Sequence, residues 1–173
     1  MNIEILFEND DVMVINKPEG LMVHSNGHTD EVTVAEWFIS KVPSAKGVGE
    51  PQLSQKGEPL ERSGIVHRLD KETSGVMILA KDQEAFTALK YQFHERMVKK
   101  EYRAFVYGAV REKWGTIDRP IGRSTKDFRL RSAQHGARGL LRQSVTLWEC
   151  IGQGRYHDEL FSYMKLKPQT GRT

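Results

Sequence analysis

The 173-residue sequence predicts an α+β fold with a mixed, mainly antiparallel β-sheet and flanking helices. Three observations predict it. Strand-like apolar runs outnumber helix-like runs, no repeating strand–helix–strand unit appears, and no internal repeat or low-complexity tract interrupts the pattern. Residues 3–7 read as a first short strand. Asp10-Asp11 breaks it, and residues 12–16 read as a second strand that stops at Pro18. Thr33 and Glu36 have capping-box spacing, so a short helix is expected over residues 34–39. Residues 44–64 are rich in Gly, Pro, Ser, Gln and Glu and read as an exposed connection.

Residues 65–69 and 75–80 read as strands around a tight polar segment. Asp82 can cap a helix running to about Met97, with Ala85, Leu89, Phe93 and Met97 recurring every four residues on one face. Residues 102–110 read as a strand whose alternation brings Tyr102, Ala104, Val106 and Gly108 to one side. Trp114-Gly115 is a turn candidate. Residues 117–121 are short and broken by Pro120, and residues 122–139 show almost no periodicity. Two further strands are expected over residues 144–150 and 160–167.

This length suits one domain with a core that needs no staples. The single cysteine, Cys150, excludes an internal disulfide framework and a four-thiolate zinc site. At the end of an apolar run beside Trp148 it reads as a buried thiol, with no local partner for a catalytic thiolate. The first eleven residues carry acids and no basic leader, and apolar runs reach only four or five residues. A cytoplasmic protein with no membrane span is expected.

The formal charge of +3 is unevenly placed: residues 1–64 carry a net −6 and residues 65–173 a net +9. Between Arg119 and Arg142 seven basic residues face one acid, Asp127. Arg129, Arg131 and Arg138 in that segment are candidates for contact with a polyanion, against the alternative of a solvated basic loop.

Asp70 is the most informative position. It follows an apolar run in Gly64-Ile65-Val66-His67-Arg68-Leu69-Asp70 and precedes Lys71-Glu72-Thr73-Ser74-Gly75. A carboxylate held there, with Arg68, Thr73 and backbone donors around it, can act as a nucleophile or base. Aspartate at such a junction also serves as a plain turn residue, and the residues alone leave both readings open. His67-Arg68-Leu69-Asp70 has the wrong order for a kinase catalytic loop, and no phosphate-binding glycine loop is present. A glycosidase would need a second carboxylate across the site, for which Glu72 qualifies only by number. His24 and His28 lie four apart but flank Asn26-Gly27, and no three-ligand cluster appears, so no metal site is expected. Tyr102 fits sheet packing or a platform for a base, and Lys99 and Lys100 just upstream would suit a backbone phosphate.

Several stretches together resemble the RluA family of RNA pseudouridine synthases. Gly64 to Val76, above all His67-Arg68-Leu69-Asp70-Lys71-Glu72-Thr73-Ser74-Gly75, resembles its catalytic motif. Asn16-Lys17-Pro18-Glu19-Gly20-Leu21-Met22-Val23-His24 is similar to its N-terminal motif. Lys99-Lys100-Glu101-Tyr102-Arg103-Ala104-Phe105-Val106-Tyr107-Gly108 is similar to the motif carrying its active-site tyrosine. Lys165-Leu166-Lys167-Pro168-Gln169-Thr170-Gly171-Arg172-Thr173 resembles the start of its last motif.

The resemblance implies isomerisation of uridine to pseudouridine in structured ribosomal or transfer RNA, without cofactor or metal; a monomer is expected. Asp70 takes the place of the essential aspartate and Tyr102 that of the ring stacking on the target base. Arg68 matches the arginine that holds the flipped nucleotide, with His67 and Thr73 beside it at the substrate. The family's last motif continues beyond Arg172-Thr173 to an arginine that pairs with the aspartate, and further strands and helices follow. The resemblance therefore implies a catalytic domain over residues 1–173 that lacks its C-terminal part and an upstream S4-type domain. It also implies little or no activity for these residues alone. A relative that binds RNA without catalysis is the alternative; intact Asp70 and Tyr102 favour the enzyme.

Overall fold

The computed structural model describes residues 2–25, 31–53, 57, 59–60, 62–125, 130–133 and 137–170. The chain divides into two compact units, Met1–Met97 and Val98–Thr173.

In the first unit, β1 (Glu4–Glu8), β2 (Val12–Lys17) and β5 (Gly75–Ala80) form an antiparallel sheet in the order β1-β2-β5. Alternation along β2 buries Met13, Ile15 and Lys17, and β5 buries Met77 and Leu79 in register with that pattern, Met13 opposite Leu79 and Ile15 opposite Met77. Between β2 and β5 run α1 (Val34–Lys41), a 3₁₀ turn (Pro43–Ala45), and the two-residue strands β3 (Gln52–Leu53) and β4 (Pro59–Leu60), which pair with each other. The expected connection thus holds short elements of its own. The capping box starts α1 as predicted: Thr33 Oγ1 accepts from Glu36 N–H at 3.3 Å, and Glu36 Oε2 accepts from Thr33 N–H at 2.9 Å. α1 buries Val34, Ala35, Trp37 and Phe38.

α2 (Gln83–His94) is capped by Asp82, which accepts from Ala85 N–H at 2.8 Å. It ends three residues short of Met97, because Arg96 adopts a left-handed conformation (φ +59°), and Met97 is exposed. Residues 65–69 are not a strand, contrary to expectation. Only a single bridge, Ile65 to Leu79, joins them to the sheet. Gly64 turns at φ +73°, and the ring of His67, through Nε2, takes the Ile78 N–H at 3.1 Å. A side chain stands where a ladder carbonyl would.

In the second unit, β6 (Tyr102–Tyr107), β7 (Trp114–Asp118), β8 (Ile121–Arg123), β9 (Arg131–Ser132), β10 (Arg138–Arg142), β11 (Val145–Tyr156) and β12 (Glu159–Pro168) form two antiparallel sheets, β6-β12-β11-β7 and β10-β8-β9. Trp114-Gly115 is part of β7 and not a turn. A Cβ at Gly115 would lie 2.6 Å from Trp148 Cζ2, so this glycine makes room for an indole. β11 runs six residues past Cys150, which is half-buried rather than buried. The β11–β12 hairpin closes on His157-Asp158, both at positive φ (+46° and +63°), a conformation whose twist suits two-residue hairpins. The aperiodic stretch after Gly122 holds the short strands β9 and β10. The fold is α+β with antiparallel sheets and flanking helices.

Candidate active site

The segment carrying Asp70 is fixed at several points. Its own main-chain carbonyl accepts from Thr73 N–H at 3.1 Å, and buried Leu69 anchors the residue before it. The next carbonyl, that of Lys71, accepts from Gly20 N–H at 2.8 Å and from Lys17 Nζ at 3.1 Å. The Asp70 side chain is exposed, and among the described residues its carboxylate has no hydrogen-bond or ion-pair partner. A carboxylate so mounted and accessible has the chemistry to serve as a nucleophile or base. It is not the self-bonded turn aspartate, because Thr73 bonds the main chain rather than the carboxylate.

Arg68 is exposed. Its Nη1 lies 3.2 Å from His24 Nε2, and His24 Nδ1 lies 3.2 Å from the Ser25 carbonyl. Burial holds the His24 imidazole below its ordinary value of 6.5. The Arg62 and Arg68 guanidiniums push the same way, and the Ser25 contact opposes them. A neutral ring with its proton on Nδ1 satisfies both contacts, so His24 aims Arg68. His67, assigned to substrate from the sequence, stacks on Phe93 of α2 (centroids 4.5 Å apart) while it accepts from Ile78. That geometry holds the Asp70 segment against α2 and β5. Thr73 is half-buried at the turn. Lys71 pairs with Glu31 at 2.8 Å, which raises its ammonium above the ordinary 10.5.

In the second unit Tyr102 lies half-buried on β6 opposite Leu166 of β12, on the face it shares with Ala104 and Val106. Its neighbours on the other face are ion-paired: Arg103 Nη1 sits 2.6 Å from Glu101 Oε1 and Lys167 Nζ 3.7 Å from Glu101 Oε2. Hydrogen bonding to Arg103 holds the Glu101 carboxyl below its usual value. Lys99 is exposed and Lys100 half-buried, just before β6. Arg131 is exposed on β9. The registers pair Arg138 with Arg123 and Arg123 with Arg131, so three arginine positions align across β10, β8 and β9. Arg123 escaped the sequence reading because a segment taken as a loop has no register. Arg129 and the Arg172 region lie outside the described residues. Among the described residues no group of three or more His, Cys, Asp or Glu is placed to hold a metal ion.

Comparison with known proteins follows the same lines. The sequence profile of the RNA pseudouridylate synthase family matches residues 11–173. The chain is 35% identical over 172 residues to an uncharacterized RNA pseudouridine synthase of Synechocystis sp., covering 99% of this chain and 48% of that protein. It is 36% identical over 171 residues to the ribosomal large subunit pseudouridine synthase D of Xanthomonas campestris, covering 99% of this chain and 45% of that one. The chain thus spans about half the length of these relatives. Among solved structures, human RNA pseudouridylate synthase domain containing 1 superposes with a TM-score of 0.74 at 25% identity, over 99% of this chain and 61% of its own. Fold, motifs and relatives agree: the chain belongs to the RNA pseudouridylate synthase family.

Proposed function

We propose that this chain supplies the catalytic machinery for converting specific uridines to pseudouridine in structured RNA, ribosomal or transfer, in the manner of the RluA branch of its family. The observation that carries the reading is the exposed Asp70 carboxylate, unpaired among the described residues, on a segment pinned through Thr73, Gly20 and Lys17. The target nucleotide must leave the helical stack before a side chain can reach it. Asp70 acts on it while the bond between N1 of uracil and C1′ of ribose breaks. The freed ring turns, C5 bonds to C1′, C5 loses its proton and N1 gains one, so atoms balance without a cofactor. Tyr102 stacks on the base, Arg68 aimed by His24 holds the flipped nucleotide, and Lys99, Lys100 and the arginines of β8–β10 meet phosphates.

The test is base-resolved mapping of pseudouridine in total RNA from cells with and without the gene. A site that disappears on deletion identifies the substrate. A wild-type copy restores it, and an Asp70→Asn copy, expressed at equal level, does not. Restoration by Asp70→Asn removes Asp70 from its role. If no uridine depends on the gene while RNA still co-purifies with the protein, the non-catalytic RNA-binding alternative holds.

A further inference from the structure

Lys17 is a fully buried lysine (0% exposed) at the end of β2. An isolated ammonium in such a place is costly, and buried charges persist where their donors are all satisfied. Lys17 meets that condition with main-chain oxygens alone. Its Nζ donates to the carbonyls of Leu21 at 2.7 Å, Pro18 at 2.8 Å and Lys71 at 3.1 Å, one for each N–H of the ammonium. Two of these carbonyls belong to the loop directly after β2. The third belongs to the residue after Asp70, and Gly20 N–H shares it. We propose that Lys17 is a positioning residue for Asp70, its buried ammonium tying the loop after β2 to the main chain immediately beyond the carboxylate.

The electrostatics agree with the geometry. Burial pulls the Lys17 ammonium below its ordinary 10.5, and the nearby carboxylates of Glu72 and Asp70 oppose that pull. Lys17 therefore touches no reacting atom, yet it stands within Coulombic reach of the group that does. Neighbouring Lys71 cannot replace it, since its own ammonium is committed to Glu31 on the surface. Removal of the Lys17 charge leaves the Pro18 and Leu21 carbonyls without this donor and the Lys71 carbonyl with Gly20 N–H alone, and it frees the turn that carries Asp70.

The proposal rests on the reading of Asp70 as the catalytic carboxylate, and the experiment separates the two. In the unmodified chain, nitrogen-detected NMR should show a slowly exchanging Lys17 ammonium with through-hydrogen-bond couplings to the carbonyl carbons of Pro18, Leu21 and Lys71. A rapidly exchanging ammonium without them overturns the proposal, whatever any variant does. In Lys17→Met, amide exchange at Gly20 and Thr73 should rise at least about tenfold, while the β2–β5 ladder amides of Met13 and Leu79 change less than about twofold. Uniform acceleration means a general loss of stability, and no acceleration means no tether; either overturns the proposal. In the full gene product that contains these residues, single-turnover pseudouridine formation at saturating RNA should fall at least about tenfold in Lys17→Met with RNA affinity unchanged. Full turnover in Lys17→Met beside a dead Asp70→Asn sinks the proposal alone. Full turnover in Asp70→Asn sinks the reading of Asp70 and leaves the exchange arm to decide whether Lys17 tethers the loop.

Discussion

Gly64 opens the segment that carries Asp70, and it sets a measurable limit on how closely that segment packs. A Cβ at this position would stand 2.4 Å from the Ala80 carbonyl oxygen and 2.5 Å from Phe38 Cε1. Neither neighbour yields easily. Ala80 is the last residue of β5, held opposite Val12, with its N–H bonded to the Gly64 carbonyl at 3.0 Å, and Phe38 is fully buried on α1. Gly64→Ala therefore incurs two costs. The left-handed backbone (φ +73°) costs an L-residue about 1–2 kcal/mol, and the forced displacement adds about 1–3 kcal/mol. The expected loss is about 2–5 kcal/mol. For a unit of this size that corresponds to a fall in Tm of about 5 °C per kcal/mol. Gly47→Ala is the internal control: its φ is +83°, but nothing lies within 4 Å of the added Cβ. It should lose only the backbone part, about 1–2 kcal/mol, less whatever the stiffer unfolded chain returns. Urea unfolding followed by circular dichroism measures both. If the two losses agree within about 0.5 kcal/mol, the packing argument for Gly64 is wrong.

Two other perturbations test the units separately. Because His24 binds a proton less readily in the folded protein than at its ordinary 6.5, the unfolded chain takes up that proton first as the solution is acidified. Its contribution to stability is therefore complete above 6.5 and shrinks as pH falls below it. The urea midpoint of His24→Gln should depend less on pH over this interval than the wild type's, and an equal or steeper dependence contradicts the assignment. In the second unit, fully buried Ser162 Oγ accepts from Val110 N–H at 2.9 Å and donates to the Gly108 carbonyl at 2.8 Å. Ser162→Ala should cost about 1–3 kcal/mol and accelerate hydrogen exchange at Val110 ahead of β11, and a neutral result would mean that water replaces the hydroxyl.

Where one local signal decided the structure, the sequence was enough to read it. The capping box of α1, the Asp82 cap of α2 and the short apolar runs of β2 and β5 each act within a few residues, and each element is present as expected. Glycine misled where its role was to admit a neighbour. Gly115 reads as a turn residue, yet it lies inside β7 under the Trp148 ring, and Gly152 and Gly154 hide the continuation of β11 along β12. Strand identity there comes from the partner strand, which a local pattern does not encode. The hairpin turn was equally hidden, because His157-Asp158 lacks the glycine that usually marks such a turn.

The site divides along the same line. Asp70, Arg68 and Tyr102 can be nominated from sequence because the chemistry proposed for them lies in the residue type and its motif. What holds Asp70 does not, since it acts through main-chain carbonyls, and a carbonyl has no residue signature. In the sequence Lys17 is one residue of the N-terminal motif with no role of its own, and His67 is a candidate substrate contact. Only the folded chain brings the Leu21 and Lys71 carbonyls to a single ammonium, fifty-four residues separating Lys17 from the second of them, and sets the Ile78 N–H against an imidazole. The distinction has a consequence for mutagenesis. Substitutions at Asp70 should act on the chemical step, whereas those at Lys17 and His67 should act on the precision with which Asp70 is presented. A displacement of about 1 Å in a reacting group suffices to cost roughly a hundredfold in rate. Large effects at both kinds of position are thus compatible with a single chemical group, and amide exchange beside Asp70 tells them apart.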